Sequence, residues 1–190
     1  MEDRLVKQHR ILGIDPGTNF MGWAVLQTNG LRSELVEMGV LDLHKVDGHY
    51  ARLQQTFFFL QETIEKYAPT EMAIETQFVD KNVQTMLKLA HGQGVAIAAC
   101  LSKDLPINEY SPMKIKMSIT GNGHASKEQV AGMLQRFLKI PSEEMPKKLD
   151  ATDALAIAYC HFLQLGSPLS DVKYKGWADF AKRNPEKVRK

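Results

Sequence analysis

Residues 11–25 read ILGIDPGTNFMGWAV. An apolar run reaches a carboxylate at Asp15, turns through Pro16 and Gly17, and resumes as a second apolar run. Ile11, Leu12 and Ile14 predict a short buried strand over 10–15. Pro16 presets a tight turn, Gly17 is available for positive φ, and residues 22–28 predict the returning strand. The Asp15 carboxylate then sits at a strand end, beside a core that does not accept an unpaired charge cheaply. It requires a partner: a metal ion, a phosphate reached through a metal, or a turn hydrogen bond.

Working outward, residues 33–41 predict a third strand and complete an antiparallel meander. Leu53, Phe57, Leu60 and Ile64 recur at helical spacing in a long segment that Pro69 ends. EMAIE at 71–75 is a short apolar strand that, like the first, ends in a carboxylate. A second long helix follows from the cap Asn82, with Gly92 and Gly94 inside it as candidates for close packing against a neighbouring backbone. PINEYS predicts a strand. PMKIKMSIT predicts a short helix from Pro112, and KEQVAGMLQRFLKI another after the turn GNGHAS. LDATDALAIAYCHFLQ predicts a final core helix. A meander followed by alternating strands and helices indicates an α/β fold, a mixed sheet with helices on both faces. The expected organisation is one domain over 1–166 and a basic extension over 167–190.

The chain has 190 residues with 44% hydrophobic and 24% charged, enough for one domain with its own core. No apolar stretch is long enough for a membrane span, and the polar start MEDRLVKQHR precedes no signal-peptide core. Cys100 and Cys160 lie in apolar helical contexts and read as core packing, which favours a reducing cytoplasm. The net charge is only +2, but residues 111–148 and 171–190 each carry seven Lys/Arg against three Asp/Glu. The remainder is therefore net acidic, a distribution suited to holding a polyanion beside a metal cluster.

Asp15 and Glu75 end strands, where ligand sites of α/β sheets gather. Asp150 and Asp153 lie three apart near a helix start, so they share a face, and the helix N-terminus offsets part of their charge. Each alone has an ordinary reading: Asp15 as a turn cap, Glu75 as a surface residue at a strand end, and Asp150 or Asp153 as a helix cap. Together, four converging carboxylates repel one another unless cations are present, and hard oxygen donors suit Mg²⁺, with Mn²⁺ as a substitute. Two such ions activate water and stabilise a leaving 3′ oxygen, which points to phosphodiester hydrolysis giving a 5′-phosphate and a 3′-hydroxyl. Phe78, in the polar setting TQFVDKN, reads as a base-stacking aromatic or as a loop anchor. Lys114, Lys116 and Lys127 flank GNGHAS and read as phosphate contacts or as solvated helix faces. His124 reads as a proton shuttle or as a solvent-facing loop residue. Phe57, Phe58 and Phe59 cannot all enter one core, so some are expected at a protein interface.

ILGIDPG, AIE with FVDKN, and LDATDALAIAYCH, in this order and spacing, resemble the RuvC family of Holliday junction resolvases over about residues 10–165. GIDPGT alone also resembles the first phosphate motif of sugar-kinase and actin-like ATPases and that of YqgF-type nucleases. A second Gly-rich loop and a second similar domain, which the ATPase reading requires, are absent from the sequence. The resemblance implies a ribonuclease-H-like fold and a homodimer. It also implies Mg²⁺-dependent symmetric nicking of two opposed strands at four-way junction DNA, in recombination and repair. It places Asp15, Glu75, Asp150 and Asp153 on the family's catalytic carboxylates, Phe78 on its junction-stacking aromatic, and Lys116 and Lys127 on its basic positions. It further implies action with a branch-migration complex of a RuvA-type junction-binding protein and a RuvB-type helicase motor. The chain after Gly166 exceeds the compact family core.

Overall fold

The computed structural model describes residues 8–76, 82–146 and 148–165. In chain order the elements are β1 (Gln8–Asp15), β2 (Phe20–Asn29), β3 (Arg32–Asp42), α1 (His49–Tyr67), β4 (Glu71–Glu75), α2 (Val83–Leu101), β5 (Ile107–Tyr110), α3 (Pro112–Thr120), α4 (Lys127–Leu138) and α5 (Leu149–Leu165), with a 3₁₀ turn at Ser142–Glu144. The strands form one sheet in the order β3-β2-β1-β4-β5. β1, β2 and β3 pair antiparallel, while β4 runs parallel to both β1 and β5. This is the expected mixed sheet, and every expected helix forms. Asn82 caps α2 by accepting from the Thr85 N–H, as its position suggested. The 167–190 extension lies outside the described residues.

Strand alternation sorts the chain onto two faces. Leu12, Ile14, Met21, Val25, Met72 and Ile74 pack with α1 and α2 through Leu60, Ile64, Ala96, Ala99 and Cys100. Ile11, Ala24, Leu26 and Ala73 pack on the other face with α3, α4 and α5 through Ile115, Leu134, Leu155 and Ile157. Asp15 and Glu75 continue the second set at intervals of two, so both point to the α5 face. Cys100 and Cys160 are buried and free. Among the described residues, no helix is long and apolar enough to cross a membrane.

The seat of α5 is cut from small residues. An ideal Cβ on Gly13 would lie 2.2 Å from the Ala154 carbonyl oxygen and 2.9 Å from the Ala158 Cβ. Ala151, Ala154 and Ala158, all fully buried, present the complementary helix surface. Two expectations about glycine are corrected. Gly17 is not among the positive-φ glycines; it is needed because a Cβ there would stand 1.8 Å from the Phe20 carbonyl oxygen. A Cβ on Gly92 or Gly94 would meet nothing within 4 Å, so the close backbone packing lies under α5 and not at α2.

Candidate active site

The two strand-end carboxylates are neighbours because β1 and β4 are adjacent and parallel. Ile14 pairs with Ile74, which puts Asp15 and Glu75 one step further along each strand on the same face. The turn after Asp15 is held from α1: Arg52 donates to the Thr18 carbonyl at 3.2 Å and to Asn19 Oδ1 at 2.6 Å. On the other side, the ammonium of Lys148 lies 3.3 Å from the centre of the Phe20 ring and ties the entry of α5 to the start of β2. Gly22, the Cα partner of Asp15, has no room for a Cβ because the Asp150 carbonyl occupies that space. The start of α5 is thereby pressed onto the carboxylate end of the sheet.

The electrostatics record the convergence. Burial, then the charges of Asp153 and Glu75, push the Asp15 carboxyl up to about 8, against the opposing pull of Lys127; Asp150 adds a smaller upward push. Burial and Asp153 also raise Glu75, while Lys127 and Lys116 oppose them. Burial raises Asp153 despite a hydrogen bond from the Lys127 ammonium. A pocket is lined by Glu75, Asp153, Lys116 and Lys127, with Pro112, Ile115, Val130 and Ile157 as its apolar wall. As they stand, no three Asp, Glu, His or Cys side chains among the described residues are grouped closely enough to hold one ion.

The structure thus brings Asp15, Glu75, Asp150, Asp153, Lys116 and Lys127 into one region. Lys114 is exposed on α3 and does not line the pocket; His124 is exposed, as expected. Phe78 lies outside the described residues. Phe57 and Phe59 pack partly into the α1/α2 core and Phe58 is exposed, so the triplet divides between core and surface. Sequence reading missed the pairing of Lys127 with Asp153, and it missed the glycine seat, although isolated glycines inside the strands signal close backbone approach. It also missed a buried polar network at the far end of α5. There His161 hydrogen-bonds Glu71 Oε2 through Nε2 at 2.8 Å and the Tyr110 hydroxyl through Nδ1 at 2.6 Å, while His9 Nδ1 hydrogen-bonds Glu71 Oε1 at 2.5 Å.

A mixed sheet with an antiparallel meander, flanking helices and carboxylates at the ends of β1 and β4 and the start of α5 defines a nuclease of the ribonuclease-H-like class. The family model of the crossover junction endodeoxyribonuclease RuvC matches residues 11–161. Proteins of that name from Bacteroides fragilis and Porphyromonas gingivalis are 56% and 53% identical, over 97% and 96% of this chain and 98% of each relative. The structure of Thermus thermophilus RuvC in complex with Holliday junction substrate superposes with a TM-score of 0.76 at 28% identity, covering 83% of this chain and 95% of that one. The chain belongs to the RuvC family of crossover junction endodeoxyribonucleases and is a structure-selective Holliday junction resolvase.

Proposed function

We propose that this chain cuts two opposed strands of a four-way junction symmetrically, as a homodimer, by metal-dependent phosphodiester hydrolysis at Asp15, Glu75, Asp150 and Asp153. The observation that carries this reading is geometric: β1 and β4 end side by side in Asp15 and Glu75, the start of α5 is seated against them, and Glu75 and Asp153 line one pocket. Burial first, and then mutual repulsion, raise the Asp15, Glu75 and Asp153 carboxyls. An all-oxygen donor set with that deficit fits Mg²⁺, or Mn²⁺ in its place. When bound there, the metal supplies an activated water and offsets charge on the leaving 3′ oxygen. Asp15, Asp153, Glu75 and Asp150 are the side chains that would hold it. Lys116 lines the pocket beside Ile115, Val130 and Ile157, where its ammonium would meet the scissile phosphate. The products are a 5′-phosphate and a 3′-hydroxyl.

One acidic site per chain supplies one cut, and a two-fold dimer presents two equivalent sites to a junction of matching symmetry. Phe78 stacks at an unpaired base near the junction centre. The basic 167–190 extension adds phosphate contacts, and the chain works with a RuvA-type junction-binding protein and a RuvB-type motor in the cytoplasm. A mobile synthetic junction with mapped products tests the core of this reading. Paired, symmetric, Mg²⁺-dependent nicks by a species of dimeric mass are expected. Cleavage that survives chelation, or an active monomer that cuts both strands, would overturn it.

A further inference from the structure

Lys127 reads in the sequence as a phosphate contact, yet its ammonium donates to the Asp153 carboxylate. Its place is unfavourable for a cation in isolation: it is the first residue of α4, where the helix dipole opposes positive charge. The backbone there is set by a complete capping box between Ser126 and Gln129, so Lys127 enters the pocket from a fixed point. The Lys127 side chain is 57% exposed and that of Asp153 18% exposed, so the cation reaches inward from the pocket mouth to a carboxylate below it. Glu75 lines the same pocket. The lysine therefore uses the carboxylate that a metal would need, and in this arrangement the acidic side chains are not gathered around one point.

We propose that Lys127 is a built-in counter-ion of the acidic site, which a divalent cation must displace from Asp153 before the site closes around it. The contact is self-inhibitory: it steadies the metal-free protein and weakens metal binding. Displacement frees the ammonium at the pocket mouth, where an anionic phosphate enters, so metal loading and the exposure of a phosphate-binding cation are one event. This rests on the metal reading above. It differs from a simple phosphate-contact role, which gives Lys127 no part in metal affinity when DNA is absent.

The test is Mn²⁺ titration of the full chain without DNA, at one fixed neutral pH, followed by the electron paramagnetic resonance of the free ion. Lys127→Met should bind Mn²⁺ roughly 1.5- to fivefold more tightly than wild type, the range for losing one partly exposed competing ion pair. Lys127→Arg, which keeps the charge, should stay close to wild type. In chelator, Lys127→Met should melt lower than wild type, and Mn²⁺ should raise its melting temperature by more. Lys127→Gln repeats both measurements with a polar side chain at the same exposed position. Unchanged or weaker Mn²⁺ affinity in folded Lys127→Met and Lys127→Gln would overturn the proposal alone, provided Asp15→Asn abolishes the binding. If Asp15→Asn binds Mn²⁺ as wild type does, the metal reading fails and the proposal falls with it.

Discussion

Gly22 lies directly against the backbone of Asp150: an ideal Cβ on Gly22 would stand 1.9 Å from the Asp150 carbonyl oxygen and 3.3 Å from the Asp15 Cβ. This contact joins the strand that faces Asp15 to the helix that carries Asp150 and Asp153. It sets how far the helix carboxylates stand from the sheet carboxylates.

Gly22→Ala should therefore lift the entry of α5, because backbone cannot give way as a flexible side chain would. A loss of about 1–3 kcal/mol in stability is expected, typical of overpacking at a close contact. Cleavage should fall by more than stability explains, since displacement by a fraction of an ångström disturbs all four carboxylates together. Thermal unfolding beside single-turnover cleavage of the folded variant checks both. Wild-type cleavage in a folded Gly22→Ala protein would show that the seat does not set the site.

Asp15→Asn should abolish metal-dependent cutting while junction binding persists, because binding depends on phosphate contacts and the change removes a repulsive charge. It should also alter how stability responds to pH in the metal-free protein. The Asp15 carboxyl is pushed up to about 8, mainly by burial and by Asp153 and Glu75. Between its ordinary range near about 4 and that value, the folded state holds a proton that the unfolded chain has released. Stability in chelator should then fall as pH rises through that window, and Asp15→Asn should flatten the fall. Melting curves across that range provide the measurement; parallel wild-type and variant slopes would contradict it.

Glu71 offers the opposite sign. Burial raises its carboxyl, but hydrogen bonds and charge from His161 and then His9 outweigh burial and hold it below the ordinary value of 4.5. Its stabilisation is present above the unfolded value and is lost as pH falls through the depressed folded value. Glu71→Gln should cost about 1.5–3 kcal/mol near neutral pH, the scale of hydrogen bonds to a charged group. Its stability should approach that of wild type at acid pH. Denaturant titrations at several pH values test this, and a constant difference between the two proteins would be the contrary result.

Phe78→Ala should leave Mn²⁺ binding intact and impair cutting of junctions. The loss of one base-stacking contact, about 1–3 kcal/mol, should appear in opening or positioning of the strand. A preopened junction should recover part of the rate. Equal wild-type and variant rates on closed and preopened substrates would remove the stacking role.

Much of this protein is legible in its sequence because the signals are local. Ile11, Leu12 and Ile14 followed by Asp15-Pro16-Gly17 specify a strand, its end and a turn within seven residues. Strand period two then places Asp15 on the face opposite Ile14, and the same reading of residues 71–75 places Glu75. The spacing of Asp150 and Asp153 places both on one helix face, and Asn82 sits where a helix cap is required. The four candidate carboxylates stand out by such local patterns and by the order and spacing of the motifs that resemble the RuvC family.

Tertiary structure alone decided the distances and pairings between those local pieces. No local pattern states that β4 joins β1 in parallel with Ile14 opposite Ile74, so the meeting of Asp15 with Glu75 is a product of sheet assembly. Gly13 and Gly22 were visible as glycines, but the Ala154 and Asp150 carbonyls that make them necessary come from residues more than a hundred positions away. Lys127 illustrates the same division. Sequence marks it as a cation near a turn; packing of α4 against α5 aims it at Asp153. Secondary structure depends on neighbours along the chain, whereas the charge balance of a buried site depends on which chain segments exclude water together.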